Sequence, residues 1–351
     1  MNPTAHPPPP HTKPPVIVVT GASAGVGRAV VRRFAELDRA RIGLVARGRS
    51  RLEETAEEVR ALGGEALALP ADVADFNALD QAAEHVADQF GPIDIWINCA
   101  MATILAPFKE ITPEEFRRVT EVTYLGFVHG TMIALKHMLP RNSGTIVQVG
   151  SALAYRSIPL QSPYCGAKHA IVGFTDSIRS ELLHDRSRVK ICVAHLPAVN
   201  TPQFEWARNR LPNRPQPVPP IFQPEVPAAG IHYLAHHPRR ELWIGRSSIK
   251  AILAQKIAPG LLDRYLAATG YSSQQTDEPE NPARPDNLFE PAPGAFAAHG
   301  RFDERASYRA PVLFATEHKL AAGLLALGAG TIAFALARRN HSGVRRRPAS
   351  R

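Results

Sequence analysis

From Val16 onward the chain alternates two kinds of segment. Short apolar runs have the length and β-branched content of strands: VIVVT (16–20), RIGLVA (41–46), EALALP (65–70), IDIWIN (93–98), TIVQVG (145–150), VKICVAH (189–195) and ELWIG (241–245). Between most of them lie stretches of helical periodicity, at 25–38, 51–62, 76–90, 113–138 and 163–184. Strands that are apolar on both faces and separated by helices predict a parallel sheet covered on both sides. Right-handed crossovers make that sheet doubly wound, an α/β fold of Rossmann type. Residues 196–240 break the alternation. "RLPNRPQPVPPIFQPEVP" is proline-rich and follows a strand on the side where such sheets bind ligands, so it predicts a segment covering the substrate. Residues 246–311 read as loop-rich, with a helix at 249–269 and an extended, exposed stretch in "TDEPENPARPDNLFEPAPG".

The ends differ from this body. Residues 1–15 hold seven prolines and almost no large apolar residue, which predicts a disordered arm with no secretory signal. "LAAGLLALGAGTIAFALA", Leu320 to Ala337, is uncharged over 18 residues, the lower limit for a membrane-spanning helix, and Arg338 and Arg339 follow directly. The expected division is therefore a Pro-rich arm (1–15), a single catalytic domain (16–250), a loop-rich C-terminal extension (251–317) and an apolar helix with a basic tail (318–351). The catalytic body is expected in the cytoplasm, with membrane association through Leu320–Ala337. A full span would carry six arginines across, against the positive-inside tendency, and an interfacial placement avoids that conflict.

Charge narrows the function classes. The chain carries +9, but six arginines lie in the last fourteen residues and Lys13 in the arm, which leaves +2 for residues 16–337. A nearly balanced body predicts no nucleic-acid face. Cys99, Cys165 and Cys192 are an odd, widely spaced set and read as reduced thiols. No metal-ligand spacing is present, and His236-His237 before Pro238 reads as a loop feature.

The candidate chemistry begins in "VIVVTGASAGVGRAVVRRF". Gly21, Gly25 and Gly27 let the backbone turn tightly between a strand and a helix, and the helix start offers free N–H groups and a positive dipole end to a phosphate. Thr20, Ser23 and Val26 complete the turn. The second strand ends in "LVARGRSRLEE", where a dinucleotide site places an acid for a ribose hydroxyl or an arginine for a 2′-phosphate. Arg47 stands there with Arg49 close by, so NADP(H) is expected over NAD(H).

"SPYCGAKHA" sets Tyr164 and Lys168 one helical turn apart on one face. Carbonyl reduction needs a proton donor at the substrate oxygen, and the reverse reaction needs a base. An ammonium beside a phenol favours the phenolate. Ser162 and Pro163 read as N-cap and first helical residue, which puts Tyr164 in the first turn. Ser151 closes the fifth strand and can meet the same oxygen as a hydrogen-bond donor.

"TGASAGVG", "PADV", "INCA", Ser151 and "YCGAK" occur in the order and spacing of the short-chain dehydrogenase/reductase family, which the chain resembles over about residues 16–245. The resemblance implies a Ser-Tyr-Lys catalytic set of Ser151, Tyr164 and Lys168, with Lys168 also on the nicotinamide ribose. It implies an adenine contact from Asp72 and Val73, and a fourth-strand motif carrying Asn98 and Ala100. Pro197, Val199 and Thr201 belong to the segment over the nicotinamide. It further implies a homo-oligomer. Thr123 stands where the family has an asparagine in a proton relay, and a threonine keeps the main-chain carbonyl that does part of that work. Cys99, Met101 and Ala198 also depart from the family's usual Asn, Gly and Gly. The reading is an NADP(H)-dependent oxidoreductase for an apolar small-molecule alcohol or carbonyl. A nucleotide-binding, non-catalytic scaffold at a membrane is the alternative. Segment 196–240 has no pattern that identifies the substrate.

Overall fold

Strand β1 (Val16–Thr20) is buried along its whole length, as a run without a polar face must be. It sits inside a seven-stranded parallel sheet with β2 (Arg41–Ala46), β3 (Glu65–Pro70), β4 (Ile95–Asn98), β5 (Thr145–Ser151), β6 (Lys190–Leu196) and β7 (Glu241–Trp243). The order is β7-β6-β5-β4-β1-β2-β3. The winding reverses between β1 and β4, where Ile17 lies opposite Ile95, and a parallel sheet opens a crevice at that point. The structure is a computed structural model that describes residues 13–311 and residue 313. The expected α/β fold is the one observed.

Helices α1 (Gly25–Asp38), α2 (Arg49–Ala61), α3 (Phe76–Phe90), α4 (Pro113–Thr120), α5 (Gly126–Met138) and α6 (Ser162–His184) connect the strands. After β6 come a short α7 (Gln203–Trp206) and α8 (Glu225–His236), and after β7 come α9 (Arg246–Ile257) and α10 (Pro259–Thr269). Three local expectations need correction. The stretch 113–138 is not one α-helix, because a π-helical turn, Glu121–Leu125, separates α4 from α5 and contains Thr123. Such turns insert one extra residue and frequently mark functional sites. The helix expected at 249–269 is two. Ala258 precedes Pro259, which disfavours the α region, and it adopts φ −141° and ψ 62°. At α6 the cap is Gln161, not Ser162. The Ser162 hydroxyl is buried without a partner, while Tyr164 does fall in the first turn.

His236 is the last residue of α8 rather than part of a loop. Its Nε2 and that of His232 donate to one Asp38 carboxylate oxygen, at 2.9 and 3.0 Å, tying α8 to the end of α1. Burial alone would raise the Asp38 pKa, but the two imidazoles outweigh it and hold the carboxyl well below its ordinary range.

The residues after β6 and β7 are not loose. Ile221–Phe222 pairs with Ala198–Val199 on one side and Ala306–Ser307 on the other. Asn213–Pro215 pairs with Gln275–Pro279, and Ile104–Leu105 pairs with Arg208–Asn209. These small ladders bring the extension back over the carboxyl ends of the sheet. By compactness the chain forms two units, Met1–Arg309 and Ala310–Arg351. The arm before Lys13, the apolar run Leu320–Ala337 and the basic tail lie outside the described residues. No described helix is long and apolar enough to cross a membrane.

Candidate active site and cofactor cleft

The turn after β1 is built from glycines because nothing larger fits. Gly21 has φ +71°, and a Cβ there would lie 2.8 Å from the Cα of Ala100. A Cβ on Gly27 would lie 2.1 Å from the Gly21 carbonyl oxygen, so the strand and the start of α1 touch backbone to backbone. The N-cap, Ala24, offers no side-chain acceptor; the Gly25 N–H donates to the Ala297 carbonyl at 3.1 Å, and Val26 and Gly27 of the same turn line the crevice.

The crevice is a cavity of about 660 Å³ that runs from this turn to the first turns of α6. Of the phosphate-turn residues, Gly21, Ser23, Gly25, Val26 and Gly27 line it. Thr20 does not. Its hydroxyl accepts from the N–H groups of Cys99 and Ala100, at 3.0 and 3.2 Å, and thereby fixes the end of β4 against β1. Asn98 is also set back from the cavity. It accepts from Trp96 Nε1 at 2.8 Å and donates to Gln148 at 2.9 Å within a buried network that includes Thr131. Thr20 and Asn98 therefore support the floor, while Ala100, Cys99 and Met101 form part of it. Asp72, Val73, Pro197, Val199 and Thr201 all reach the wall. The Asp72 carboxylate is ion-paired with Arg118.

Arg47 lines the cavity where the strand-end reading expects it. Arg49 does not join it, being largely exposed beside Glu53 on α2. The second guanidinium at this end is Arg51, in the first turn of α2 and on the cavity wall. The sequence reading missed it, and the only signal was its four-residue spacing from Arg47.

At the other end Ser151, Tyr164 and Lys168 converge. Ser151 ends β5 and accepts from the Leu153 N–H at 3.1 Å. Behind it His195 donates through Nδ1 to the Ser151 carbonyl at 3.1 Å, and a Glu241 carboxylate oxygen lies 3.4 Å from its Nε2. Lys168 donates to the Val149 carbonyl at 2.7 Å, and its nitrogen lies 4.5 Å from the Phe127 ring centre and 5.5 Å from that of Tyr164. Burial pushes the Lys168 pKa down to about 8. Burial also pushes the Tyr164 phenol up, although the Ser151 hydroxyl opposes it. In the polypeptide alone desolvation, not the Lys168 ammonium, sets the direction of the Tyr164 shift. Burial raises the neighbouring Cys99 thiol to about 12, which keeps it a protonated wall residue. Thr123 does not reach the cavity with its side chain. Its hydroxyl donates to the Ala102 carbonyl at 2.8 Å and accepts from the Ala102 N–H at 2.9 Å, pinning the π turn to the segment after β4.

The far wall comes from the proline-rich segment after β6 and from α9 and α10. Val218, Ala251, Ala254, Leu262, Tyr265 and Leu266 make it apolar. Trp206, Asn287 and Pro291 close the arginine end, which no pattern in the sequence announced.

A glycine turn at the switch point, an acid after β3 and a Ser-Tyr-Lys set around one cavity define a class of nicotinamide-dependent enzyme. The sequence profile of the short chain dehydrogenase family matches residues 15–210, and the chain belongs to that family. Among its relatives, an uncharacterized oxidoreductase of Bacillus subtilis, YxnA, is 31% identical over 93% of this chain and 91% of its own length. A fatty acyl-CoA reductase of Acinetobacter baylyi is 29% identical over 75% of this chain and 86% of that one. The ketoacyl reductase HetN of Nostoc is 32% identical over 48% of this chain and 58% of that one. The protein is a short-chain dehydrogenase/reductase, a hydride-transferring oxidoreductase that uses a nicotinamide cofactor and a small-molecule substrate.

Proposed function

We propose that this enzyme uses NADP(H) and acts on a carbonyl or alcohol carried by an apolar substrate, with Tyr164 as the acid/base group. The observation that carries the reading is that one cavity joins the glycine turn and two arginines at one end to Tyr164, Ser151 and an apolar wall at the other. The residues fit a dinucleotide. Any side chain at Gly27 would fill the cradle, and Arg51 has a buried Nε without an acceptor. Gly21, Ser23, Gly25 and Val26 would hold the phosphates, Arg47 a 2′-phosphate, and Asp72 and Val73 the adenine. Pro197, Val199, Thr201 and Lys168 would hold the nicotinamide ribose side. Ala100 belongs to the floor beneath it, which Thr20 and Asn98 keep in place.

A bound nicotinamide supplies or accepts the hydride. The polypeptide handles the proton. A phenol kept neutral by burial is a donor at neutral pH, which suits carbonyl reduction. Ser151 directs the substrate oxygen by a hydrogen bond, and Lys168, near 8, is poised to return a proton to Tyr164 Oη. Thr123 serves by holding Ala102 and leaving its own π-turn carbonyl for a relay.

Two of the named relatives, a fatty acyl-CoA reductase and a ketoacyl reductase, have names that imply acyl-chain substrates, which agrees with the apolar wall. Helices α9 and α10, which form that wall, also expose Leu253, Ile257, Leu261 and Tyr265 beside Lys250, Lys256 and Arg264. This face meets an anionic lipid surface from which the substrate enters. Self-association uses the exposed Phe116, Leu125, Met132 and Leu139 of α4, the π turn, α5 and the residue after it. The test is oxidation of NADPH and of NADH by the full chain against aliphatic aldehydes and ketones of increasing length. Turnover should rise with chain length and favour NADPH, and a preference for short polar substrates would overturn the apolar reading.

A further inference from the structure

The ends of α1 and α8 meet at three side chains that take no part in the cleft. α1 starts at the glycine turn and finishes at Asp38, about 20 Å along the helix axis. His232 and His236 stand one turn apart on one face of α8. None of the three lines the cavity. Both imidazole Nε2 atoms reach the same Asp38 oxygen, Oδ2, at 3.0 and 2.9 Å. The Asp38 side chain is fully buried, and those of His232 and His236 are only 9% and 10% exposed.

Hydrogen bonding alone accounts poorly for this arrangement. A carboxylate has about four acceptor positions over two oxygens, so two imidazoles have no need to share one. Here Oδ2 takes both, and Oδ1 is buried with no partner, an unfavourable state for a carboxylate oxygen. Convergence on one point is what a metal ion requires. Ligand atoms about 2.1 Å from an ion lie about 3.0–3.4 Å apart, from a right-angled to a tetrahedral arrangement. The observed 2.9 and 3.0 Å stand at the short end of that range, and Oδ1 is available as a fourth donor. Burial, with the fields of His236 and Arg33 in support and Asp38 opposed, holds the His232 pKa below its ordinary value, which leaves the neutral imidazole that ligates metals. The Phe34 ring packs on both imidazoles, at 4.7 and 5.9 Å between centres, and fixes their planes.

We propose that Asp38, His232 and His236 form a structural zinc site that staples α8 to the end of α1. Two imidazoles and a carboxylate suit zinc and disfavour magnesium or calcium, which take oxygen ligands. On coordination each imidazole keeps one proton, moved from Nε2 to Nδ1, and Nε2 gives its lone pair to the ion. Without the ion the three side chains retain the hydrogen bonds that already join the two helices. The pair was hidden in the sequence because His236, read as part of a loop, has no turn to share with His232.

The test uses the full chain, freed of metal by dialysis against a chelator and titrated calorimetrically with zinc chloride. One zinc should bind per chain. At a free concentration about 100 times Kd, Tm should rise by about 5–10 °C. Magnesium chloride should do neither, and equal binding of magnesium overturns the zinc assignment. His232→Gln and His236→Gln each keep a hydrogen-bond donor toward Asp38 and should weaken zinc by more than about 100-fold, beyond the range for an outer-shell residue. Zinc that binds both variants as tightly as the parent belongs to other histidines and overturns the site, as does no zinc on the unmodified protein. Should a variant fail to fold, one equivalent of cobalt chloride on the unmodified chain reads the ligands directly. Imidazole ligation should give visible absorption that zinc abolishes, and the spectrum of aqueous cobalt overturns the inference.

Discussion

Replacing Tyr164 with phenylalanine removes one oxygen from the floor of the cavity and changes little else. The half-buried phenol lines the cavity and desolvation holds it neutral, and its side-chain neighbour is the Ser151 hydroxyl. A neutral hydrogen bond of this kind contributes about 0.5–1.5 kcal/mol net. For a domain of this class, 1 kcal/mol corresponds to about 2–4 °C in Tm, so the variant should unfold within a few degrees of the parent. Loss of a positioned proton donor is a different scale of effect, about 10²- to 10⁴-fold in rate. At 1.36 kcal/mol per decade, that is about 3–5 kcal/mol of barrier. The gap between the two figures makes the experiment decisive. Steady-state kcat followed by nicotinamide absorbance should fall by at least about a hundredfold, while Tm and the Kd for NADPH stay close to the parent. A kcat within about threefold of the parent, or a fall in NADPH binding that accounts for the lost rate, would refute the role given to Tyr164.

Further outcomes follow from other contacts. Burial puts the Lys168 pKa at about 8, so its charged form prevails below that pH; carbonyl reduction should decline above it, and a Lys168→Met profile that keeps the same inflection would remove Lys168 from the proton path. Gly27→Ala sets a Cβ 2.1 Å from the Gly21 carbonyl, and should cost about 1–3 kcal/mol or more in urea unfolding together with NADPH binding; a variant that binds normally would contradict the backbone contact. In metal-free protein, Asp38→Asn should cost about 1–3 kcal/mol at pH 7. Because the Asp38 pKa lies below its ordinary 3.8, the carboxylate's contribution is present above that value and lost only as pH falls through the lowered folded one. The gap between parent and variant should hold from pH 7 to pH 5, and its closure there would falsify the assignment. Leu261→Glu on exposed α10 should reduce co-sedimentation with anionic vesicles and leave kcat for a soluble short aldehyde unchanged; equal sedimentation would remove the lipid face.

The sheet was legible because its strands are apolar on both faces, and a buried parallel strand has no polar residue to blur its limits. IDIWIN and VKICVAH fall within two residues of β4 and β6, and the glycine turn and Tyr164–Lys168 face are local enough for spacing to reveal them. What escaped was set by distant chain or by a single peptide. Ala258 ends α9 because the next residue is proline, a one-residue effect inside an otherwise helical window. The π turn at Glu121–Leu125 leaves hydrophobic periodicity almost unchanged, so 113–138 reads as one helix. Thr20, Asn98 and Thr123 carry the right motif positions, but the orientation of their side chains depends on Ala100, Gln148 and Ala102, which sequence spacing does not align with them.

Residues 287–297, a strap along the arginine end of the cavity, were illegible for a more general reason. Its grip on Arg28, Arg47, Arg51 and Arg118 is made through main-chain carbonyls, which every residue type supplies, so no side-chain pattern in 287–297 marks it. Net charge hides it too. A body of +2 excludes a broad basic face but says nothing about four guanidiniums gathered at one cleft. Glu58 and Asp72 answer two of them. The other two hydrogen-bond to no carboxylate, and desolvation outweighs the fields of Asp72 and Glu290 on Arg47 and of Glu54 on Arg51, lowering both pKa values. Carboxylate partners would relieve that cost but would also repel a phosphate. Neutral carbonyls satisfy the guanidinium donors instead, so the grip leaves no charge pattern in the sequence to read.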